Sequence, residues 1–401
     1  MTRLAGQAWL SSSATQAVMT ALEAEGGADC ARFVGGCVRN AILGAPVDDL
    51  DIATRLTPDR VVVALKAAGL KVIPTGIDHG TVTALSERLP YEITTLRHDV
   101  ETDGRHATVA FTTDWAEDAA RRDFRLNALY ADAEGCIHDP TGEGLADAQA
   151  GRIIFVGEAR QRIKEDYLRI LRFFRFYAWY GRGPMNEAAL SACADLAEGV
   201  ESLSAERVSK ELLKLLAAPD PRASVTMMAR TGVLARVLGG AGDLALFEAM
   251  AGISGEAVLR LSALLPADPD VVEARARGLR LSNAERGRLV AAVEGRVDVG
   301  MTPEQARASL YDLGAQVFSD RILRAQAAGG EASAAQSLLD LASAWTRPVM
   351  PIGGRDLAAL GLNPGPLTGQ VLKAFEAEWV ADDFPDHGHE ERLRDVVARL
   401  G

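Results

Sequence analysis

The stretch FVGGCVRNAILGAPVDDLDIAT, residues 33–54, packs a strand end, a turn, a helix and a second strand into one short span. Phe33 and Val34 read as the end of a buried strand and Gly35-Gly36 as a turn. A short amphipathic helix follows, closed by Gly44-Ala45-Pro46. The next strand carries Asp49 and Asp51. Side chains alternate across a strand, so both carboxylates leave one face while Leu50 and Ile52 turn to apolar packing on the other. Two carboxylates that close repel each other unless a cation lies between them. The amides of a Gly-Gly turn ahead of a helix suit a phosphate. Carboxylates for Mg2+ beside a phosphate cradle describe a site for nucleotidyl transfer. Either feature alone is commonly just a turn, and it is their joint occurrence that carries weight.

The whole chain sets bounds on this reading. At 401 residues, with 48% hydrophobic and 24% charged, it has the composition of a soluble globular protein long enough for two or more domains. No apolar run is long enough to span a bilayer, and the first residues lack the continuous apolar segment of a signal peptide, so a cytoplasmic location is expected, with no membrane partner. Cys30, Cys37, Cys136 and Cys193 form no C-x-x-C pair, which leaves buried free thiols as the default. A net charge of −12 argues against a protein that coats nucleic acid indiscriminately, so a partner carrying phosphates must meet a local basic patch. Residues 152–182 supply one, with eight Lys or Arg against three Asp or Glu.

Around the opening stretch, residues 1–28 read as an amphipathic helix built on Trp9, Leu10, Val18, Met19 and Leu22. Thr57-Pro58 starts another helix that ends at Gly69. Strand-like runs follow at 70–73, 80–85 and 91–96, and alternation in the last puts Glu92 and Thr94 on one face and Ile93 on the other. Glu92 is thus a third candidate carboxylate. From Trp115 the pattern reads as helical through Asp132, then hairpin-like at 136–140, with a strand at 152–156 and helix almost throughout from Gln161. His98-Asp99 and His138-Asp139 resemble metal-hydrolase doublets, but no further His or Asp at helical spacing completes such a site, so both read as loop residues. His387 and His389 read as solvent-exposed. The aromatic run Phe173, Phe174, Phe176, Tyr177 and Trp179 reads as core rather than a base-stacking platform. From Pro348 the chain looks like a small separate helical module, with Leu362-Asn363-Pro364-Gly365-Pro366-Leu367 as a helix connection.

Four motifs occur in order: Gly35-Gly36-Cys37-Val38-Arg39; Asp49-Leu50-Asp51; Arg121-Arg122-Asp123-Phe124 with Asn127-Ala128; and Glu165-Asp166-Tyr167-Leu168-Arg169. In this order they resemble the class II tRNA nucleotidyltransferase and bacterial poly(A) polymerase superfamily, over roughly residues 30–180. The resemblance implies an α+β head of mixed β-sheet with helices, followed by all-α neck, body and tail. It divides the chain into an N-terminal helix (1–28), a catalytic head (29–157), a neck with a base-reading helix (158–220), a body (221–345) and a tRNA-binding tail (346–401). It implies that Asp49 and Asp51 bind metal with Glu92 beside them, and that Gly35, Gly36 and Arg39 bind the triphosphate. Arg121, Arg122, Asp123 and Asn127 fall in the ribose motif, Asp166 and Arg169 in the base-reading pair, and Arg172 is counted with the nucleotide-binding residues. Three positions depart from the family pattern: Asn40 where Asp is usual, Arg125 where Thr is common, and Glu143 in a loop that is usually Gly-Gly. That loop, 139–147, is the flexible element in relatives.

The base-reading pair also has a chemical rationale. Cytosine and adenine each present an amino donor beside an unprotonated ring nitrogen, whereas uracil and guanine present a carbonyl beside an N–H. A carboxylate at Asp166 and a guanidinium at Arg169, three residues apart on one helix, match the first pair and clash with the second. A surface i,i+3 salt bridge is the plain alternative. The implied activity is template-independent addition of the 3′-terminal CCA of tRNA from CTP and ATP with Mg2+. Its alternatives are a poly(A) polymerase, an enzyme adding only CC or only A, and a catalytically silent RNA-binding protein. No protein partner is indicated.

Overall fold

The computed structural model describes residues 2–77, 80–103, 106–295, 297–362 and 364–400, so Asn363 of the helix connection lies outside them. The chain divides into two compact units, residues 1–242 and 243–401.

The first unit opens with helix α1, Ser13–Gly26, and not with Trp9 and Leu10 as the apolar periodicity suggests. Ser12 accounts for the difference: its hydroxyl accepts from the Thr15 amide at 3.3 Å, which starts the helix there. Strand β1, Ala31–Val34, helix α2, Gly36–Leu43, and strand β2, Leu50–Thr54, follow as the sequence implies, except that Asp49 stands just before β2. Helix α3, Pro58–Ala67, leads to strands β3, Lys71–Gly76, β4, Thr81–Ser86, and β5, Leu89–Thr95. Strands β6, Arg97–Asp103, and β7, His106–Phe111, make a separate two-stranded ladder, so His98 and Asp99 belong to a strand and not a loop.

The helical reading from Trp115 fails after six residues. Helix α4 spans Trp115–Ala120, a 3-10 turn covers Arg125–Asn127, and the chain then enters strand β8, Tyr130–Ala131. Phe124 is extended between them, and its backbone bridges Phe155. That bridge is all that forms of the strand expected at 152–156. Strand β9, Ile137–His138, pairs with β8, which places His138 in a strand, its Nε2 3.0 Å from Asp132.

The main sheet runs β3-β4-β5-β2-β1-β8-β9. Its ladders are antiparallel except β2 with β5, which is parallel and pairs Asp51 with Glu92. β2 is therefore central, and Ile52, Ala53 and Thr54 are all buried. Helix α5, Gly144–Ala150, precedes helices α6, Ala159–Glu165, α7, Leu168–Tyr180, α8, Glu187–Asp195, and α9, Ala205–Leu216. Aromatic rings join sheet to helices: Phe124 lies 4.8 Å from Phe155 and 5.1 Å from Phe176, and Phe155 stacks on Phe173 at 5.8 Å. The core reading of this run holds for Phe173, Phe174 and Phe176, while Trp179 is exposed.

The second unit is helical among its described residues. Leu310, Phe318 and Ile322, from the two helices that meet at a break at Gly314 within Pro303–Ala327, pack with Leu338 and Ala342. Tyr311, before that break, joins Phe375, Trp379, Leu393 and Val396, so the segment after Pro348 shares a buried cluster with the helical turn that carries Tyr311. His387 is exposed, whereas His389 is half-buried with its ring 6.5 Å from Phe375. All four cysteines are free; Cys136 is half-buried and the others buried. No helix among the described residues is long and apolar enough to cross a membrane.

Candidate active site

Three carboxylates gather where β2 and β5 lie side by side. Asp51 and Glu92 are register partners on parallel neighbours, so their side chains leave the same face about 5 Å apart. Asp49, two residues before Asp51, is exposed at the strand's mouth. The Asp51 carboxyl is pushed up to about 6, first by burial, then by the Glu92 charge, with Arg122 pulling the other way and Asp49 adding to the rise. This is excess negative charge on a rigid strand, the condition that a bound cation relieves. Among the described residues no group of three or more His, Cys, Asp or Glu side chains is arranged to hold a metal ion, so a cation here needs ligands from outside the chain.

Next to the carboxylates, Gly35 turns the chain into α2 with φ +70°, a conformation that strains any residue with a Cβ. Because α2 starts at Gly36, its first-turn amides have no intrahelical acceptor and project as donors. Arg39, one turn on, is buried. Its guanidinium donates to Asn127 Oδ1 at 2.5 Å, to Asn40 Oδ1 at 2.9 and 3.2 Å, and to the Tyr180 hydroxyl at 2.8 Å.

The Arg121–Asn127 segment is wired from beneath. Asp118, fully buried on α4, receives Arg121 at 2.8 and 3.0 Å, Arg122 at 2.9 and 3.2 Å, and the Tyr130 hydroxyl at 2.6 Å. Burial acts to raise its carboxyl, but the Arg122 and Arg121 charges outweigh that and hold it at about 2. Asp123 accepts from the Phe124 amide at 2.8 Å, from Asn127 Nδ2 at 3.0 Å and from Arg172 at 2.7 and 2.5 Å. Arg172–Asp123–Asn127–Arg39–Tyr180 is thus one continuous chain of hydrogen bonds.

Asp166 and Arg169 do not share a helix. Asp166 stands at the break between α6 and α7, its backbone extended at φ −155°. Oδ1 accepts from the Leu168 amide at 3.1 Å and Oδ2 from Arg207 of α9 at 2.7 Å. Arg169 instead donates to Glu165 at 2.6 Å and to the Arg162 and Arg121 carbonyls at 2.9 and 3.1 Å. The i,i+3 salt bridge is therefore absent, and both groups are held half-buried by other partners.

Two of the departures from the family pattern meet: Arg125 pairs with Glu143, and also lies 3.7 Å from Asp147. Asn40 spends its amide on the Pro46 carbonyl at 2.7 Å and its oxygen on Arg39. Sequence reasoning missed Asp118, Tyr180 and Arg207. Asp118 was findable, three and four residues before a pair of arginines. The other two come from helices distant in sequence, which no local spacing reveals.

A sheet with a paired carboxylate strand, a Gly-Gly helix start beside it and helices behind defines a nucleotidyltransferase head. Family models match in the same places: the poly A polymerase head domain over residues 31–154, and the probable RNA and SrmB-binding site of polymerase A over residues 184–241. The chain is 32% identical over 367 residues to mouse mitochondrial CCA tRNA nucleotidyltransferase 1, covering 87% of this chain and 82% of that protein. It is 30% identical over 371 residues to the CCA-adding enzyme of Levilactobacillus brevis, covering 89% and 91%. Among solved structures, the Bacillus stearothermophilus CCA-adding enzyme in complex with CTP superposes with a TM-score of 0.78 at 25% identity, over 96% of this chain and 98% of that one. The chain belongs to the CCA-adding tRNA nucleotidyltransferase family.

Proposed function

We propose that this enzyme builds or repairs the 3′-terminal CCA of tRNA from CTP and ATP without a nucleic-acid template. The observation that carries the reading is the carboxylate cluster of Asp49, Asp51 and Glu92 beside the Gly35-Gly36 helix start. Relatives support it, because a CTP complex is known for a protein of the same fold and near-complete coverage. In the reaction the RNA 3′-hydroxyl oxygen bonds to the α-phosphorus while the bond to the bridging oxygen of the β-phosphate breaks, releasing pyrophosphate. Asp49 and Asp51 would hold divalent cations, with Glu92 adding negative charge beside them. Magnesium, the hard cation that carboxylates and phosphates prefer, supplies activation of the hydroxyl and neutralisation of pyrophosphate when bound. The amides at Gly36 and the charge of Arg39 face the polyphosphate, and Asp123 with Asn127 orients the ribose. The compartment this reading carries is the cytoplasm.

Purified protein given Mg2+ and tRNAs ending before CCA, after C, or after CC tests it. Addition of CTP then ATP that halts at CCA is expected. A long A tract would make it a poly(A) polymerase, A added only after CC a restricted enzyme, and binding without incorporation a silent RNA-binding protein.

Base choice falls to Asp166 and Arg169, each fixed by groups outside the pair. A bidentate match is worth roughly 1–3 kcal/mol of discrimination. Asp166→Ala is expected to relax the preference for CTP and ATP over UTP and GTP by about 10- to 100-fold, with little change in Mg2+ dependence. Unchanged preference in single-nucleotide incorporation assays would remove the pair from base reading.

A further inference from the structure

Arg39 is a buried cation to which the fold gives no anion. Among the described residues no carboxylate lies within ion-pairing distance of it, although Asp123 is only one hydrogen-bonded residue away through Asn127. Its donors end on two amide oxygens and one phenol, all neutral. Its flat face lies on rings: the guanidinium carbon is 4.2 Å from the Tyr180 ring centre and 5.2 Å from that of Phe176. Neighbouring arginines are treated differently. Arg172 is closed onto Asp123, Arg175 onto Glu211 at 2.6 Å, and Arg121 and Arg122 onto Asp118. The arginine without a carboxylate paired directly to it is also the one behind the phosphate cradle, since a Cβ on Gly36 would lie 4.0 Å from Arg39 Nη2.

Tyr180 is the hydrogen-bond partner that reaches Arg39 from helix α7. It sits at the last residue of α7, and its hydroxyl and ring face grip the same guanidinium. The phenol accepts Arg39's hydrogen bond, and among the described residues no acceptor takes the phenol's own proton. A neutral aromatic grip fixes the direction of a cation without discharging it, which a carboxylate in the same place would do. We propose that Tyr180 is a positioning residue for the incoming nucleotide: it holds Arg39 aimed at the cradle with its charge available to the triphosphate. The proposal rests on the reading of this site as a CTP and ATP site.

The test compares Tyr180→Phe, which keeps the ring and deletes the hydroxyl, with Tyr180→Leu, which deletes both. Tyr177→Phe is the control, since Tyr177 on the same helix also spends its hydroxyl within the fold, on the Gly183 carbonyl. Losing a hydrogen bond to a charged group predicts that KM for CTP and ATP rises about tenfold in Tyr180→Phe. A larger rise is expected in Tyr180→Leu, with kcat and KM for tRNA within about twofold of wild type in Tyr180→Phe. Tyr177→Phe should lower the melting temperature without moving KM. Nucleotide KM at the wild-type value in both Tyr180 variants overturns the proposal, as does a rise in KM for tRNA alone or an equal rise in the Tyr177 control. Wild-type protein assayed alongside separates the two layers: its failure to add CTP or ATP overturns the functional reading and the proposal together, whereas active wild type with unaltered variants overturns only the role of Tyr180.

Discussion

Replacing Asp51 by asparagine should end nucleotide addition and at the same time make the metal-free protein more stable at neutral pH. The two effects have one cause. Burial and the neighbouring Glu92 and Asp49 charges raise the folded carboxyl from its ordinary 3.8 to about 6. A folded value above the unfolded one means the folded protein binds the extra proton. The associated stability is present below about pH 4 and is lost as pH rises through about 6. The deficit at pH 7 is on the order of 2–3 kcal/mol, and a neutral amide of the same shape removes it. Activity should fall by about three orders of magnitude or more, because stabilisation of developing phosphoryl charge is worth several kcal/mol. Asp49→Ala should be as inactive. Without metal, Asp51→Asn should melt above wild type at pH 7.5 and level with it near pH 4, while Mg2+ should raise the melting temperature of wild type only. Near wild-type incorporation by either variant, or Mg2+ stabilisation of Asp51→Asn equal to that of wild type, would remove these carboxylates from the metal site.

Asp118→Ala should cost the most stability of any single change near the site, about 3–5 kcal/mol. One fully buried carboxylate neutralises two largely buried guanidinium groups, and removing it leaves both without a counter-charge. Urea unfolding of the variant should show a lower midpoint with an unchanged slope. The acid limb gives an independent check. A folded value of about 2 against 3.8 unfolded contributes stability present above about pH 4 and lost as pH falls towards 2. The wild type should therefore lose on the order of 2 kcal/mol over that window that Asp118→Ala does not. Equal midpoints for the two proteins would show that Arg121 and Arg122 find other partners.

Much of this arrangement can be read along the chain, and what cannot has a physical reason. Residues 33–54 announce strand, turn, helix and strand because glycine punctuation and apolar alternation are local signals, and α2 and β2 follow them to within a residue. Glu92 was reachable because alternation puts it on the open face of its strand, though only the parallel pairing of β2 with β5 shows that it partners Asp51. The run from Trp115 misled because its composition favours helix, while the ion pairs to Asp118 and the bridge from Phe124 to Phe155 pull the backbone out of it. Tertiary partners outweigh propensity there. Asp166 and Arg169 misled in the same way: their spacing suits one helix, but the Leu168 amide and Arg207 draw Asp166 into a break between two. Nothing within ten residues of Asp166 signals Arg207.

The Arg125–Glu143 pair bears on how such a site drifts over generations. With Glu143 well exposed, the pair is worth no more than about 1 kcal/mol, so neither residue is locked in by the other. The two half-steps are nevertheless unequal. Arginine arriving first would still find Asp147 at 3.7 Å, whereas glutamate arriving first would add a third acid to a loop that already holds Asp139 and Asp147, where Arg152 is bonded to Asp147 at 2.7 Å. Of the two orders, the cation first and the acid second is the electrostatically easier. A loop transplanted from a Gly-Gly relative into this enzyme should therefore be accepted more readily than an Arg125→Thr change made in its native loop.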